Sequence, residues 1–264
     1  MWTALTLTTV MTLAPAQGIE LKNVRTTYGI MGETRKDNKF LPGDFLVVAF
    51  DIEGLKVKDT GLVQYSMGME LTKKGKAKPE FKQDPKDLEA ENSLGGTILP
   101  AFANYLLPND FAVGEYTLKV TVKDRLGKTE KVLSKTFEVV PLKFGFVQVG
   151  LTTPQGFPVP PVAVPGQRIL VHCTLVGYQL KDKLPNVTFE MIVQDDAGKP
   201  TVPKSFKGDI KTESKVTPGV MNFVPRILDL NKAGKYKIVM KATDNISKET
   251  TEETINLNVI APAN

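Results

Sequence analysis

PGDFLVVAFDIEGLKVKD, at positions 42–59, and PGQRILVHCTLVGYQLKD, at positions 165–182, are two forms of one pattern. They lie 123 positions apart and align without a gap, so that Pro-Gly, an apolar run, a glycine (Gly54 and Gly177) and a final Lys-Asp pair all coincide. Val48, Phe50 and Ile52 alternate with the smaller or polar Val47, Ala49 and Asp51, and Val171, Cys173 and Leu175 alternate with His172 and Thr174. A period of two is typical of a β-strand with one buried face. The pair therefore indicates a duplicated β domain.

The repeat continues in three further blocks, which keep their order while their separation drifts only between 120 and 126 positions. Chance similarity rarely keeps both order and spacing, so we expect two copies of one domain. The predicted fold is all-β: two tandem antiparallel β-sandwiches at 17–141 and 142–264, after a leader at 1–16. The three blocks are YSMGMEL (65–71) over VTFEMIV (187–193), GEYTLKVTVKD (114–124) over GKYKIVMKATD (234–244), and Thr26-Thr27 over Thr152-Thr153.

The block GEYTLKVTVKD over GKYKIVMKATD predicts a terminal hairpin in each copy. Asp124 and Asp244 are followed by short polar turns and then by a second alternating run. Acidic residues of this kind cap turns through their own backbone, so we assign them to turn capping and not to metal binding. Tyr116 and Tyr236 start the first strand of the hairpin, a placement comparable with the tyrosine corner of immunoglobulin-like sandwiches.

One stretch of the first copy, 83–108, has no clear counterpart in the second and is interpreted as an insert. Asp84 followed by Pro85 is typical of a helix N-cap with proline at the first helical position. We therefore predict a short helix at about Pro85–Glu91, ended by Gly95-Gly96.

The insert also carries the candidate ligand-binding residues Phe102, Asn104 and Tyr105, which follow the two glycines. Aromatic rings and amide groups of this kind can line a site for a sugar or a peptide. The competing interpretation is that the apolar residues here pack beneath a loop.

The first sixteen residues predict export. An uncharged, mainly apolar run leads to Ala14-Pro15-Ala16, which matches the small-x-small pattern of a signal-peptidase site. No Lys or Arg precedes the run, and a buried first strand is the alternative. No later segment is long and apolar enough to cross a bilayer, so we expect an extracytoplasmic protein without membrane insertion.

Charge does not indicate a nucleic-acid partner. The chain has 34 Lys and Arg against 29 Asp and Glu, a net charge of +5, and only five of the cations are Arg. Lys and acidic residues are interleaved, which is typical of a solvated mixed-charge surface. The second half, from 142 onward, holds more of the excess, with 15 basic and 11 acidic residues.

The chain contains one His and one Cys, which excludes a zinc site built from several such residues and a disulfide within the chain. His172 and Cys173 are adjacent, so on a strand they point to opposite faces and we assign both a structural role. We expect no catalytic residue, metal or cofactor. A hydrolase that uses Asp84, Asp87 or Glu89 is the remaining enzymatic alternative, and it needs two carboxyl groups facing one cleft.

The chain resembles the tandem Ig-like or fibronectin type III-like modules of bacterial secreted and cell-surface proteins. The blocks YSMGMEL (65–71), FKQDPKDLEA (81–90), NSLGG (92–96) and GEYTLKVTVKD (114–124) are similar to a group of exported bacterial proteins. The resemblance implies no catalytic residue. The duplication, the export pattern and the lack of a converging catalytic set predict a binding, spacer or cell-envelope interaction module whose partner is a protein or a glycan. The alternative is a carbohydrate- or peptide-binding subunit that uses 83–108. The oligomeric state stays open.

Overall fold

All regular secondary structure in the computed structural model, which describes residues 18–212 and 220–261, is β-strand. The predicted all-β class is confirmed, and the predicted leader at 1–16 lies outside the described residues. No helix that could span a bilayer occurs in the described part of the chain. The first eight strands are β1 (Glu20–Thr26), β2 (Lys39–Phe40), β3 (Phe45–Glu53), β4 (Leu62–Lys73), β5 (Phe81–Glu91), β6 (Ile98–Leu106), β7 (Gly114–Asp124) and β8 (Glu130–Val139).

The remaining strands repeat this series. A small extra hairpin, β12–β13, is the one addition among them. They are β9 (Gly145–Thr152), β10 (Val162–Ala163), β11 (Arg168–Val176), β12 (Leu180–Lys181), β13 (Leu184–Pro185), β14 (Val187–Asp195), β15 (Phe206–Ile210), β16 (Val220–Asp229), β17 (Gly234–Asp244) and β18 (Thr250–Val259).

The two series have the same sheet topology. Strands β1–β8, here called copy one, form a three-stranded sheet in the order β1-β3-β6 and a five-stranded sheet in the order β2-β8-β7-β4-β5. Strands β9–β18, here called copy two, form β9-β11-β16 and β10-β18-β17-β14-β15. Each strand of copy one has a counterpart at the same place in the sheets of copy two, which agrees with the duplication seen in the sequence.

Each copy buries its own core between its two sheets. In β7, Tyr116, Leu118, Val120 and Val122 are almost fully buried, and the residues between them are more exposed, apart from the terminal Asp124. Because side chains alternate across a strand, this pattern places one row against the facing sheet and the other toward solvent. The apolar residues of each copy form a separate core cluster.

Irregularities of the backbone are repeated as well. Asn23 in β1 and Gln148 in β9 both have φ of 52°, and each lies where the strand register shifts against its neighbour. Such a bulge adds one residue to one strand and bends it. Lys128 and Lys248, in the turns after β7 and β17, also share a positive φ.

The turn carboxylates have equivalent roles, as predicted. Asp124 Oδ1 accepts hydrogen bonds from the backbone N–H groups of Leu126 and Gly127, and its Oδ2 accepts one from Lys56. Each carboxylate therefore holds its own hairpin turn and also ties it to the loop after β3 or β11.

Asp244 repeats this set in copy two. Its Oδ1 accepts from the N–H of Ile246, and its Oδ2 accepts from the N–H of Gln179 and the hydroxyl of Ser247. Burial alone would raise the pKa of Asp244, but these hydrogen bonds hold it below its ordinary value.

The helix predicted at Pro85–Glu91 is wrong, because these residues belong to the edge strand β5. Asp84-Pro85 lies where the pairing of β5 with β4 shifts register, against Gly68. Proline has no N–H to donate, so a bulge on an edge strand accommodates it as readily as the first turn of a helix does. Gly95 and Gly96 have positive φ in the turn that joins β5 to β6.

The interpretation of 83–108 as an insert is also wrong. The stretch supplies β5 and β6, and copy two has the same two strands as β15 and β16. The counterpart went unrecognised because β15 is five residues long where β5 has eleven.

The two copies meet through an apolar cluster. Leu41 and Val140 of copy one pack with Val147, Val176 and Val220 of copy two. The end of copy one that holds the start of β3 and the end of β8 therefore lies on copy two at the start of β9 and the end of β11.

Polar groups at this junction are also paired. Asp44 Oδ1 accepts a hydrogen bond of 3.0 Å from the N–H of Gln148, whose side-chain amide donates to the carbonyl of Gly43 at 2.8 Å. Asp44 Oδ2 lies 2.9 Å from Nη1 of Arg35, and both side chains are largely buried. The Arg35 guanidinium lies over the ring of Phe40, with its carbon 4.3 Å from the ring centroid.

Candidate functional site

A groove of about 680 Å³ opens in copy two, at the end opposite the junction. One wall is the end of β16, and the other is the segment 199–206 that leads into β15. Core residues Met191 and Leu257 form part of its lining, so the groove reaches the interior of the sandwich.

In copy one, aromatic rings fill the corresponding end. Neighbouring ring centroids along the chain of contacts are 4.4 to 6.1 Å apart, which is the usual range for favourable aromatic pairs. We call this set the aromatic plug; its members are Phe40, Phe81, Tyr105, Phe111, Tyr116 and Phe137.

Strand register identifies what replaces the plug in copy two. Phe137 pairs with Tyr116 at the start of β7, whereas Leu257 pairs with Tyr236 at the start of β17. Phe40 lies beside Val139 on β8, and Ala163 takes the same place on β18. Two aromatic rings of copy one are therefore replaced by aliphatic side chains in copy two.

Two more rings are lost at the end of β6. Tyr105 pairs with Leu46, and the equivalent pair in copy two is Leu228 with Ile169. Phe111 lies in the seven-residue connection 107–113 between β6 and β7, which shortens to four residues at 230–233 between β16 and β17. The groove therefore occupies the space where copy one places the rings of its plug.

The two tyrosines at the start of β7 and β17 keep the same hydrogen bond in different surroundings. Tyr116 Oη donates to the carbonyl of Ala112 at 2.6 Å, and Tyr236 Oη donates to the carbonyl of Lys232 at 3.0 Å. Both bonds run four residues back along the chain, as in a tyrosine corner. Tyr116 is buried within the plug, and burial raises its pKa, whereas Tyr236 lines the open groove.

The rim of the groove is mainly basic. Its cations are Lys199, Lys204, Arg226 and Lys232, against the carboxylates of Asp195 and Asp229. Asp229 is paired with Arg168 at 2.6 Å, and Asp195 Oδ1 accepts from the N–H of Lys199 within its own turn. Arg226 lies over the ring of Phe206, with its guanidinium carbon 5.6 Å from the centroid, and so spans from β16 to β15.

The structure does not bring the three predicted ligand-binding residues together. Phe102 and Asn104 lie on the outer face of β6, where Phe102 is 38% exposed. Tyr105 lies on the inner face and packs against Phe81 within the plug. Successive side chains of a strand point to opposite sides, so these residues cannot line one pocket.

His172 and Cys173 are separated in the same way, as the sequence predicted. Cys173 is buried in the core of copy two at the position of Phe50, and burial raises the pKa of its thiol to about 12. His172 lies beside Gly150 on the other face, and burial lowers its pKa. The thiol is therefore protonated at neutral pH and is poorly suited to be a nucleophile.

The carboxylates of the hydrolase alternative do not face a cleft. Asp84 and Asp87 have largely exposed side chains that pair with Lys82 and Arg125 on the surface. Glu89 accepts a hydrogen bond from the amide of Gln64. In the described part of the chain, no three His, Cys, Asp or Glu side chains form a group that could hold a metal ion.

The groove was missed in the sequence because it depends on pairs of residues across strands. The signal was present in the aligned repeat, where Phe137 aligns with Leu257 at the spacing of the terminal hairpin. Loss of several large side chains at one end of a repeated domain favours an open space at that end.

Comparison with known proteins does not place the chain in a family. No family model and no curated protein sequence matches it. Among solved structures, it is similar to dimeric latent PorU from Porphyromonas gingivalis, with 14% identity and a TM-score of 0.40 over 94% of this chain and 21% of that one. It is also similar to the C-terminal domain of the Streptococcus agalactiae AgI/II polypeptide BspA, with 10% identity and a TM-score of 0.30 over 91% of this chain and 100% of that one. This chain thus spans about a fifth of the PorU chain.

Proposed function

We propose that this chain is a non-enzymatic binding protein, made of two tandem Ig-like β-sandwiches at 17–141 and 142–264, and that the groove of copy two is its binding site. The groove is the observation that carries the proposal. Pockets for small ligands or for parts of a partner have volumes of roughly 300–1,000 Å³, apolar linings and a few polar groups. Copy one, joined through the paired junction, serves as a spacer that holds copy two in one orientation.

Nile red tests the proposal, since this neutral dye fluoresces when it enters an apolar site. We expect saturable binding of one dye per chain. The double variant Ala163→Phe and Leu257→Phe restores two rings of the plug and should reduce dye affinity at least tenfold. Dye binding that is absent in the folded protein, or unchanged in the double variant, would contradict the proposal.

Copy one offers the matched control. Phe40→Ala and Phe137→Leu make the reverse exchange at equivalent positions, and they should leave dye binding to copy two intact. A second dye site of similar affinity in this variant would confirm that the rings alone separate a closed end from an open one. Circular dichroism establishes that all three proteins are folded.

A second binding surface is the outer face of β6, which the sequence also singled out. Ile98, Phe102 and Leu106 form an exposed apolar row on this edge strand, with Asn104 between them. This row supports the alternative of a carbohydrate- or peptide-binding subunit, although it is not concave. Binding on a glycan array that disappears in Phe102→Ala, and persists when the groove is filled, would favour this surface over the groove.

We also propose that the protein acts outside the cytoplasm, where its partner is a protein or a glycan of the cell envelope. The leader pattern at 1–16 supports this location. Expression in a bacterial host, followed by fractionation and N-terminal sequencing, tests it. A mature chain that starts at Gln17 is expected, and a soluble cytoplasmic chain that retains Met1 would contradict export.

A further inference from the structure

We propose that the occupant of the groove is an extended, apolar polypeptide segment with acidic ends, which adds to the free edge of β16 as a further strand. This inference rests on the proposed function, because it names the ligand class of the same groove.

The free strand edge is the first argument. Among residues 18–212 and 220–261, β16 pairs with β11 on one side only and is the last strand of its sheet. The groove is lined by the consecutive residues 226–232, which include the end of β16. Because side chains of a strand alternate between its faces, a surface that touches every consecutive residue runs along the strand's edge. An open edge presents unpaired N–H and C=O groups that a second strand can match.

The second argument is the space beside that edge. β15, on the facing wall, has five residues where β5 has eleven, and the plug is absent. Ile227 and Val202 are about half exposed on the two walls, at 46% and 54%. An added strand could bury its apolar row against the core residues at the base of the groove while its backbone pairs with β16.

Charge is the third argument. None of Lys199, Lys204 and Lys232 has a carboxylate partner among the residues that the structure describes. Both carboxylates at the rim are engaged, one with Arg168 and one within its own turn. Complementary charge at the rim of an interface favours one partner over another and speeds association. The unpaired cations therefore favour a segment with acidic residues at its ends.

A sugar fits this groove less well. Sugar sites need exposed aromatic faces and several polar groups with unused hydrogen-bonding capacity. Arg226 already covers the ring of Phe206, and the hydroxyl of Tyr236 already donates to a backbone carbonyl.

Isothermal titration of the full chain with three synthetic peptides tests the inference. The first peptide alternates Val and Thr over eight residues between Asp-Glu ends. The second has Lys-Lys ends, and the third replaces a central Thr with Pro, which removes a backbone donor and disfavours a paired strand. We expect one site for the first peptide and affinities at least tenfold weaker for the other two. Equal affinity for all three peptides, or no binding of the first, would overturn the inference.

Hydrogen exchange gives a readout of strand addition. Binding of the first peptide should slow amide exchange at least tenfold along β16 and leave the outer edge of β6 unchanged. Lys204→Glu with Lys232→Glu should weaken that peptide at least tenfold and strengthen binding of the peptide with Lys-Lys ends.

The outcomes separate the two proposals. Nile red binding without peptide binding overturns the strand inference and leaves the groove as a site. Absence of both overturns the proposed function as well. Binding of cellohexaose, a neutral sugar, in the groove in place of the peptide would overturn the strand inference in favour of a glycan ligand.

Discussion

The two copies differ at the end where β7 and β17 begin. In copy one this end is filled by the aromatic plug and covered by copy two. In copy two the equivalent end holds the groove and is uncovered. Leu41, next to the plug, is 9% exposed beneath copy two, whereas its counterpart Val164 is 42% exposed. Gly43 has Asn109 and Val176 close by, whereas Gly166 has open space around it. The comparison shows that the strand pattern maintains the fold, while the side chains at the strand ends are free to diverge.

At the other end of each copy the relation is reversed: copy two is covered there and copy one is exposed. Lys22 and Glu53 form an ion pair on copy one, and the equivalent positions of copy two are Val147 and Val176. The charged pair faces solvent and the valines lie within the junction. Whether a position is covered by the neighbouring copy therefore decides its chemistry, and an uncovered apolar end supports the proposed binding site.

The largest effect is expected at the junction. Asp44→Ala removes the carboxylate that pairs with the buried Arg35 and accepts from Gln148, and an unpaired buried charge costs about 3–5 kcal/mol. Urea unfolding should show a loss of this size. Gln167 takes the place of Asp44 at the open end, so Gln167→Ala is the control and should cost less than about 1 kcal/mol. Equal losses in the two variants would mean that the junction is not a paired interface.

The turn carboxylates should behave alike in both copies. Asp124→Ala and Asp244→Ala each leave three hydrogen-bond donors without an acceptor, at a cost of about 2–4 kcal/mol. Chemical unfolding of the two variants measures both losses. Values that differ by more than about 2 kcal/mol would break the equivalence of the two hairpins.

Acid should weaken copy two through Asp244. Its pKa is lower in the folded than in the unfolded chain, so its contribution is present above the ordinary Asp value of about 3.9 and is lost as pH falls through the folded value. Asp244→Asn should therefore lower Tm at pH 7 and make Tm less dependent on pH below about 4. An unchanged slope in that range would contradict the assignment.

Exchanging phenylalanine and leucine at equivalent positions should change stability by a smaller amount, and in opposite directions in the two copies. Phe137→Leu should destabilise the filled end by about 1–2 kcal/mol, because the ring stacks on Tyr116 at 5.6 Å. Leu257→Phe should be neutral or slightly stabilising, because the groove has room for the ring beside Tyr236. Thermal unfolding measures both, and a strongly destabilised Leu257→Phe would show that the groove is not open.

Substitution of Glu253 should change stability least. It lies at the junction beside a small cavity, and burial raises its pKa although Arg35 and Lys36 oppose the shift and Asp37 and Asp44 support it. A raised pKa means that stability is greatest below the ordinary Glu value of about 4.3 and falls as pH rises through the folded value. Glu253→Gln should therefore raise stability at pH 7 by about 0.5 kcal/mol and have no effect at pH 4. A loss at pH 7 would contradict this.

The sequence predicted what depends on single strands and turns. Alternation in 114–124 and 234–244 placed β7 and β17 correctly, and Asp124 and Asp244 were correctly assigned to their turns. It failed at Asp84-Pro85, because the local signals for a helix start and for a bulged edge strand are the same and the pairing with β4 decides between them. The groove depends on which residues meet across strands, which no single segment of the sequence contains.

Methyl NMR tests the central claim, that the end left open in copy two is a binding site and the filled end of copy one is not. Nile red, or the acidic peptide, should shift the methyl signals of Met191, Leu228 and Leu257 in a saturable manner. The methyl signals of Leu46 and Leu107 at the filled end should not move. Shifts at copy one, or equal shifts at both ends, would contradict the account.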